Sequence, residues 1–135
     1  MAALVLDSWA LLAFFKGEPA AAAVETLLQQ AASDKTRLLL CVVNWGEIYY
    51  SIARAEGEAV AEQKAADLGT LAIELVPVAD DLQLVREAAK LKAVKKMAYA
   101  DCFAGALAKI RNAELVTGDV EFKEIEKEVK ICWLQ

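Results

Sequence analysis

The sequence contains no histidine and only three cysteines among its 135 residues. The missing histidine excludes Ser-His-Asp and Cys-His catalysis, as well as zinc sites that use imidazole ligands. The cysteines, Cys41, Cys102 and Cys132, are far apart and form no CxxC pair. This spacing predicts reduced thiols and gives no support to a disulfide framework. If the chain is an enzyme, carboxylates and a metal ion must therefore carry its chemistry.

Long apolar runs are also missing, although 58% of the residues are hydrophobic. No run approaches the roughly 18–20 residues that a membrane-spanning helix needs. The apolar segment 4–15 is interrupted by Asp7 and has no basic residue before it, so it does not predict a signal peptide. We therefore expect a cytoplasmic protein that does not associate with a membrane.

Linkers rich in proline or glycine and internal repeats are absent, and we expect a single domain over residues 1–135. Short apolar runs alternate with longer segments of helical periodicity, which predicts a parallel sheet covered on both faces. The expected fold is an α/β/α sandwich of three layers. The predicted strands are residues 3–6, 37–42, 73–78, 114–117 and 130–133. The predicted helices are residues 8–16, 19–33, 44–56, 58–71, 80–93, 99–111 and 121–127.

Three acidic residues fall at the exits of predicted strands, where an open α/β sheet binds its ligands, and a fourth lies on an adjacent helix. Asp7 directly follows the first strand, and Asp119 lies just past the fourth. Glu47 is on the helix after the second strand, and Asp101 begins the helix that leads into the fourth. We expect these four side chains to converge at one end of the sheet.

Three of these acids could instead serve the local backbone. Asn44 and Glu47 have the spacing of a capping box, in which the glutamate bonds back to the backbone of residue 44. Asp119 could cap the short helix after it, and Asp101 could complement a helix dipole. Asp7 is harder to explain in this way, because an unpaired carboxylate between apolar segments is costly to bury.

Taken together, the four acids point to a cation. Carboxylates that lie close together raise one another's pKa unless a positive charge lies among them. A ligand set made only of oxygens selects Mg²⁺ or Mn²⁺, which activate water for attack on phosphorus. Residues 82–112 carry seven basic side chains and two acidic ones, which could steer a nucleic acid or form a solvated helix face. The cluster therefore predicts metal-assisted hydrolysis of a phosphodiester bond.

The acids lie in four sequence blocks: LDSWA at 6–10, NWGEIYY at 44–50, YADCFA at 99–104 and LVTGDVEF at 115–122. In this order the blocks resemble the successive motifs of PIN-domain proteins, especially the VapC-type ribonuclease toxins of toxin–antitoxin pairs. The resemblance covers residues 3–133. It implies a five-stranded parallel sheet flanked by helices and a Mg²⁺ or Mn²⁺ site that cleaves RNA.

The resemblance also implies a role for each acid at its motif position. Asp7 and Asp101 would be the principal metal ligands. Glu47 would be a ligand or would orient the attacking water, and Asp119 would complete the cluster. In-line attack on the scissile phosphate would leave a 5′-phosphate and a 3′-hydroxyl.

Further implications concern supporting residues and partners. Ser8 and Thr117 occupy hydroxyl positions that support such a site in the family. Asn44 stands where many relatives have serine or threonine, and we expect it to cap its helix. Family members commonly dimerise and are silenced by a small antitoxin, so the resemblance implies a homodimer and a VapB-like partner. We expect self-association through the apolar faces around residues 45–50, since the mean hydropathy is +0.33.

Two other functions remain open. One is a phosphate-transfer domain. A haloacid-dehalogenase-like phosphatase requires a second aspartate at the position where this chain has Trp9. A phospho-accepting receiver wants an acidic pair at its first strand and an acceptor after its third, whereas here the pair Asp80-Asp81 follows the third. The other alternative is a non-catalytic binding module on the PIN fold. A metal-dependent assay on single-stranded RNA separates these functions.

Overall fold

The computed structural model describes residues 2–135, and one or two helices lie between successive strands along this part of the chain. The strands are β1 (Ala3–Leu6), β2 (Arg37–Cys41), β3 (Ile73–Val76), β4 (Glu114–Thr117) and β5 (Ile131–Trp133). The α-helices are α1 (Ser8–Phe15), α2 (Ala21–Ala32), α3 (Val42–Glu56), α4 (Glu58–Gly69), α5 (Gln83–Val94) and α6 (Tyr99–Arg111). A 3-10 helix covers Val120–Ile125, between β4 and β5.

The five strands form one parallel sheet in the order β3-β2-β1-β4-β5. Val5 in the central strand is in register with Leu39 on one side and Leu115 on the other. The chain builds β2 and β3 on one side of β1 and then crosses to build β4 and β5 on the other side. The direction of winding therefore switches between β1 and β4, as in doubly wound sheets.

Alternating side chains of the sheet feed two separate cores. Val5 and Leu39 pack with α5 and α6 on one face, whereas Leu6, Leu38 and Leu40 pack with α1 to α4 on the other. Because successive side chains of a strand point to opposite faces, central strands that are apolar at every position bury both faces. This arrangement confirms the predicted three-layer α/β/α sandwich.

Most predicted boundaries hold within two or three residues, and the differences have local causes. The strand predicted to reach residue 78 ends at Val76, because Pro77 has no N–H group for the sheet ladder. The strand predicted to reach residue 42 ends at Cys41, whose extended backbone precedes α3. The short helix predicted at 121–127 is a 3-10 helix. None of the helices within residues 2–135 has the length and apolar composition needed to cross a bilayer.

Candidate metal centre

The candidate centre lies at the carboxyl end of the sheet, where β1 and β4 are neighbours. Asp7 leaves β1 directly, and Asp119 is two residues past the end of β4. A crevice forms at such a switch point because the connections from the two strands leave in opposite directions. The topology therefore brings together two acids that are far apart in the sequence.

Asp7 is fully buried and held by two hydrogen bonds. Its Oδ1 atom accepts from the main-chain N–H of Ala10 at 2.9 Å, so the side chain caps α1. Its Oδ2 atom accepts from the hydroxyl of Thr117. Burial raises the pKa of Asp7 from 3.8 to about 7; these hydrogen bonds lower it in part, and the charges of Asp119 and Glu47 raise it.

Thr117 connects the two strand ends. While its hydroxyl donates to Asp7, its oxygen accepts from the main-chain N–H of Asp119 at 3.0 Å. The side chain of Asp119 then accepts from the N–H of Glu121 at 2.9 Å and caps the 3-10 helix. The capping role considered for Asp119 is therefore present, and the same cap holds its carboxylate at the switch point.

Glu47 joins the centre from α3 through a partner on α1. The hydroxyl of Ser8, which is buried, donates to Oε1 of Glu47 at 2.6 Å. The capping-box interpretation is wrong, because α3 begins at Val42 and Glu47 bonds across to α1. Ser8 thus fixes one oxygen of this carboxylate at the same end of the sheet as Asp7.

The expectation that Asn44 caps α3 is also wrong. Because α3 begins at Val42, Asn44 lies inside its first turn and is fully buried. Its Nδ2 atom donates to the main-chain oxygen of Ala100 at 3.0 Å, which ties α3 to the start of α6. Its Oδ1 atom is buried and has no hydrogen-bond partner within residues 2–135.

Asp101 completes the group from the first turn of α6 and is only 6% exposed. Burial is the largest cause that raises its pKa from 3.8 to about 8. The negative charges of Glu47, Asp119 and Asp7 raise this pKa further, as does a hydrogen bond with Glu121. Asp7 and Asp101 thus each lie within electrostatic range of the other three predicted acids. Of the four, only Asp101 and Asp119 belong to a close group of carboxylates, and Asp7 and Glu47 lie outside it.

Glu121 is a fifth acid for which the sequence reasoning assigned no role. Carboxylate oxygens of Asp101, Asp119 and Glu121 all lie within 4.8 Å of one another. Glu121 itself is exposed, in the first turn of the 3-10 helix. Its position two residues after Asp119, in a turn that follows a strand, was the available sequence signal.

The donor set fits a hard divalent cation such as Mg²⁺ or Mn²⁺. All charges that shift the pKa of Asp7 and Asp101 come from other carboxylates, so the described chain does not neutralise them. The unpartnered oxygen of Asn44 adds a buried acceptor next to the start of α6. Acids held close together in this way are stabilised by a cation with oxygen ligands.

Only some of the basic side chains in segment 82–112 are free to steer a nucleic acid toward the site. Lys90 and Lys95 form ion pairs of 3.2 and 3.8 Å with glutamates, and Lys92 donates to a main-chain oxygen at 2.8 Å. Lys96 is exposed in the connection that leads to α6. Part of the segment is therefore a paired helix face, and a steering role stays a prediction.

Comparison with known proteins yields one family and a set of similar folds. A family model described as PIN domain matches residues 4–128. No curated protein matches the chain. A chain in VapBC2 from Rickettsia felis, bound to a promoter DNA fragment, is similar with a TM-score of 0.71 and 15% identity, over 98% of this chain and 99% of that chain.

Two further solved structures have the same fold. VapBC-1 from nontypeable Haemophilus influenzae gives a TM-score of 0.69 at 19% identity, over 97% of each chain. VapC20 from Mycobacterium tuberculosis, a toxin that cleaves the sarcin–ricin loop, gives 0.67 at 16% identity, over 89% of this chain and 92% of that chain. At these identities the likeness shows the fold, and it confirms the expected five-stranded parallel sheet.

Proposed function

The chain belongs to the PIN-domain family, and on that premise we propose that it is a single-domain, metal-dependent endoribonuclease. The observation that carries the proposal is the convergence of buried acids at the β1–β4 switch point. Asp7 and Asp101 are more than nine-tenths buried, and the charges around them are negative. A site of this kind has a clear use if it holds a divalent cation against a phosphate.

The ion would be held by Asp101, Asp119 and Glu121, whose carboxylate oxygens lie within 4.8 Å of one another, with Asp7 and Glu47 as further oxygen donors. When bound, Mg²⁺ or Mn²⁺ polarises phosphate oxygens and makes water a better nucleophile. Asp7 is fixed for this task by its bonds to Ala10 and Thr117, and Asp119 by its cap on the 3-10 helix.

The side chains themselves supply orientation and proton transfer. Ser8 occupies one oxygen of Glu47, which leaves the other oxygen to orient the attacking water and accept its proton. Because Glu47 is only partly buried, it can meet a substrate that approaches from solvent. Attack in line with the 3′-oxygen breaks the bond between phosphorus and that oxygen, which takes a proton from solvent, and the products are a 5′-phosphate and a 3′-hydroxyl.

We further propose that the chain is the toxin of a type II toxin–antitoxin pair, acts in the cytoplasm and forms a homodimer. The similar VapBC structures support a VapB-like partner. The apolar surface around Trp45 supports self-association, since Trp45 stacks on Tyr49 and the neighbouring Tyr50 is 50% exposed. Sedimentation equilibrium at tens of micromolar tests the dimer, and a monomer at that concentration would refute it.

The activity is tested with purified protein and a labelled single-stranded RNA. Cleavage should occur in Mg²⁺ or Mn²⁺, stop in EDTA and return when Mn²⁺ is added back. Ca²⁺ should support it poorly, because it prefers longer bonds and looser geometry. Robust cleavage in EDTA would refute the metal mechanism. A protein that binds Mn²⁺ and cleaves no RNA would instead be a non-catalytic module.

A further inference from the structure

Trp9 and Gly118 are packed against each other beside the metal centre. Trp9 lies in the first turn of α1, two residues after Asp7, and Gly118 lies between Thr117 and Asp119. A Cβ atom at Gly118 would come within 2.2 Å of Cη2 of the indole, 2.4 Å of Cζ3 and 2.6 Å of Cζ2. The six-membered ring of Trp9 therefore occupies the space that any side chain at position 118 would need.

The glycine is required here by space and not by backbone conformation. Within residues 2–135 the glycines with positive φ are Gly17 and Gly57, and Gly118 is not among them. Gly105 gives a useful contrast, because a Cβ atom added there would first meet the flexible end of the Ile125 side chain, at 2.7 Å. A flexible methyl group can move aside, whereas a rigid indole that is packed on the backbone resists displacement.

The contact bears on the turn that carries Asp119. Inside this turn, the Thr117 hydroxyl bonds to Asp7 and to the N–H of Asp119. Those two bonds restrain the turn from the side of the buried carboxylate, and the Trp9 ring restrains Gly118 between them. Because Asp7 caps α1 and Trp9 lies in its first turn, the end of β4 is held to the start of α1 at two points.

We propose that Trp9 is a positioning residue of the metal centre, and this inference rests on the proposed function. Its indole holds the turn from Thr117 to Asp119 so that the Asp119 carboxylate stays beside those of Asp101 and Glu121. The residue touches neither metal nor substrate in this role. It acts through Gly118, which must lack a side chain for the ring to fit.

A double-mutant cycle of Trp9→Ala and Gly118→Ala tests the proposal. The main readout is the affinity of the folded protein for Mn²⁺, measured by titration calorimetry, with kcat and KM for RNA cleavage beside it. Gly118→Ala alone should weaken Mn²⁺ binding about tenfold or more and lower kcat more than it raises KM. In the Trp9→Ala background, the same added methyl group should cost less than about threefold, because the clashing ring is gone.

Gly69→Ala is the matched control, since this glycine ends α4 and a Cβ there would meet nothing within 4 Å. It should leave Mn²⁺ affinity unchanged. A purely structural contact would lower the melting temperature of Gly118→Ala without changing the Mn²⁺ affinity of the folded protein, and that result would overturn the proposal. Independent, additive losses in the cycle would also overturn it.

The remaining outcomes separate this inference from the proposed function. If Gly118→Ala does not fold, Trp9→Ala decides: a modest loss of Mn²⁺ affinity supports the positioning role, and wild-type affinity overturns it. A wild-type protein that binds no Mn²⁺ overturns the metal centre and the inference together. Coupled losses of Mn²⁺ affinity in a chain that cleaves no RNA would overturn only the ribonuclease activity.

Discussion

Acidic residues have opposite surroundings at the two ends of the parallel sheet: at one end they pair with basic side chains, and at the other they lie among other acids. At the amino end, Glu74 pairs with Arg37 at 2.8 Å and Glu114 pairs with Lys130 at 2.9 Å. At the carboxyl end, Asp7 and Asp101 are buried, and the charges that act on them come from other acids. None of the ion pairs within residues 2–135 involves the buried carboxylates Asp7 and Asp101.

The difference shows which acids the chain neutralises by itself. Exposed pairs such as Arg37–Glu74 keep much of their hydration and contribute little to stability. Buried carboxylates without a cation are costly, and the chain tolerates them by holding protons, as the raised pKa values of Asp7 and Asp101 indicate. Such a cluster supports the proposal that the protein binds a divalent cation from solution.

The largest expected effect comes from neutralising one acid at the carboxyl end. Asp101→Asn keeps the shape of the side chain and removes the charge that would hold the ion. RNA cleavage in Mg²⁺ should fall by about a hundredfold or more. The matched control is Asp34→Asn, an exposed aspartate just after α2, where asparagine also tolerates the positive φ of 57°. Equal activity of the two variants would remove Asp101 from the site.

The second effect is a pH dependence of the metal-free protein. The folded state holds protons on Asp7 and Asp101 up to about pH 7 and 8, whereas the unfolded carboxylates release theirs near pH 3.8. The free energy of unfolding in EDTA should therefore fall as the pH rises from about 4 to 8. No histidine titrates in this range to obscure the trend.

Urea denaturation in EDTA at pH 5 and pH 8 measures this dependence. Asp101→Asn should flatten the slope and be at least as stable as wild type at pH 8, because the variant relieves repulsion. If Asp101 only complemented the dipole of α6, its neutralisation would instead cost roughly 0.3–1 kcal/mol. If Asp101→Asn is less stable than wild type and keeps the same pH dependence of the free energy of unfolding, the comparison between the two ends of the sheet is contradicted.

A smaller effect is expected at Glu121, the acid that the sequence reasoning left without a role. Glu121→Gln should weaken Mn²⁺ binding several-fold and reduce RNA cleavage without abolishing it. Glu121 is exposed, and Asp101 and Asp119 are still present to hold the ion. Titration calorimetry with Mn²⁺ measures the change, with Glu126→Gln as an exposed glutamate just past the same 3-10 helix. Identical affinities for the two variants would exclude Glu121 from the ligand set.

The smallest effect is expected at the amino end. Glu114→Gln breaks the pair with Lys130, whose side chain is 81% exposed, and should change the free energy of unfolding by less than about 1 kcal/mol. Cleavage and Mn²⁺ affinity should stay at wild-type values. A large loss of either would show that the two ends of the sheet are coupled.

The fold was predictable because its cause is local and repeated. Runs such as Leu38–Leu40 are apolar at every position, and a strand of that kind is stable only when both of its faces are covered. The ends of helices and strands were less predictable where contacts with another element of the fold determine them. The valines at 42 and 43 favour a strand by themselves, yet they begin α3, and the next residue, Asn44, is tied to α6 through Ala100.

The sequence by itself determined the parallel sheet, the order of helices and strands along the chain, and the four acids expected at one end of the sheet, because spacing and composition carry that information. Only the tertiary structure decided which atoms meet: Ser8 with Glu47, Thr117 with Asp7, and the indole of Trp9 with Gly118. It also decided that Glu121 lies beside Asp101. These contacts join residues from different elements, and burial and charge act through space, so the pKa values and the steric fit of the centre arise only when the strands are assembled.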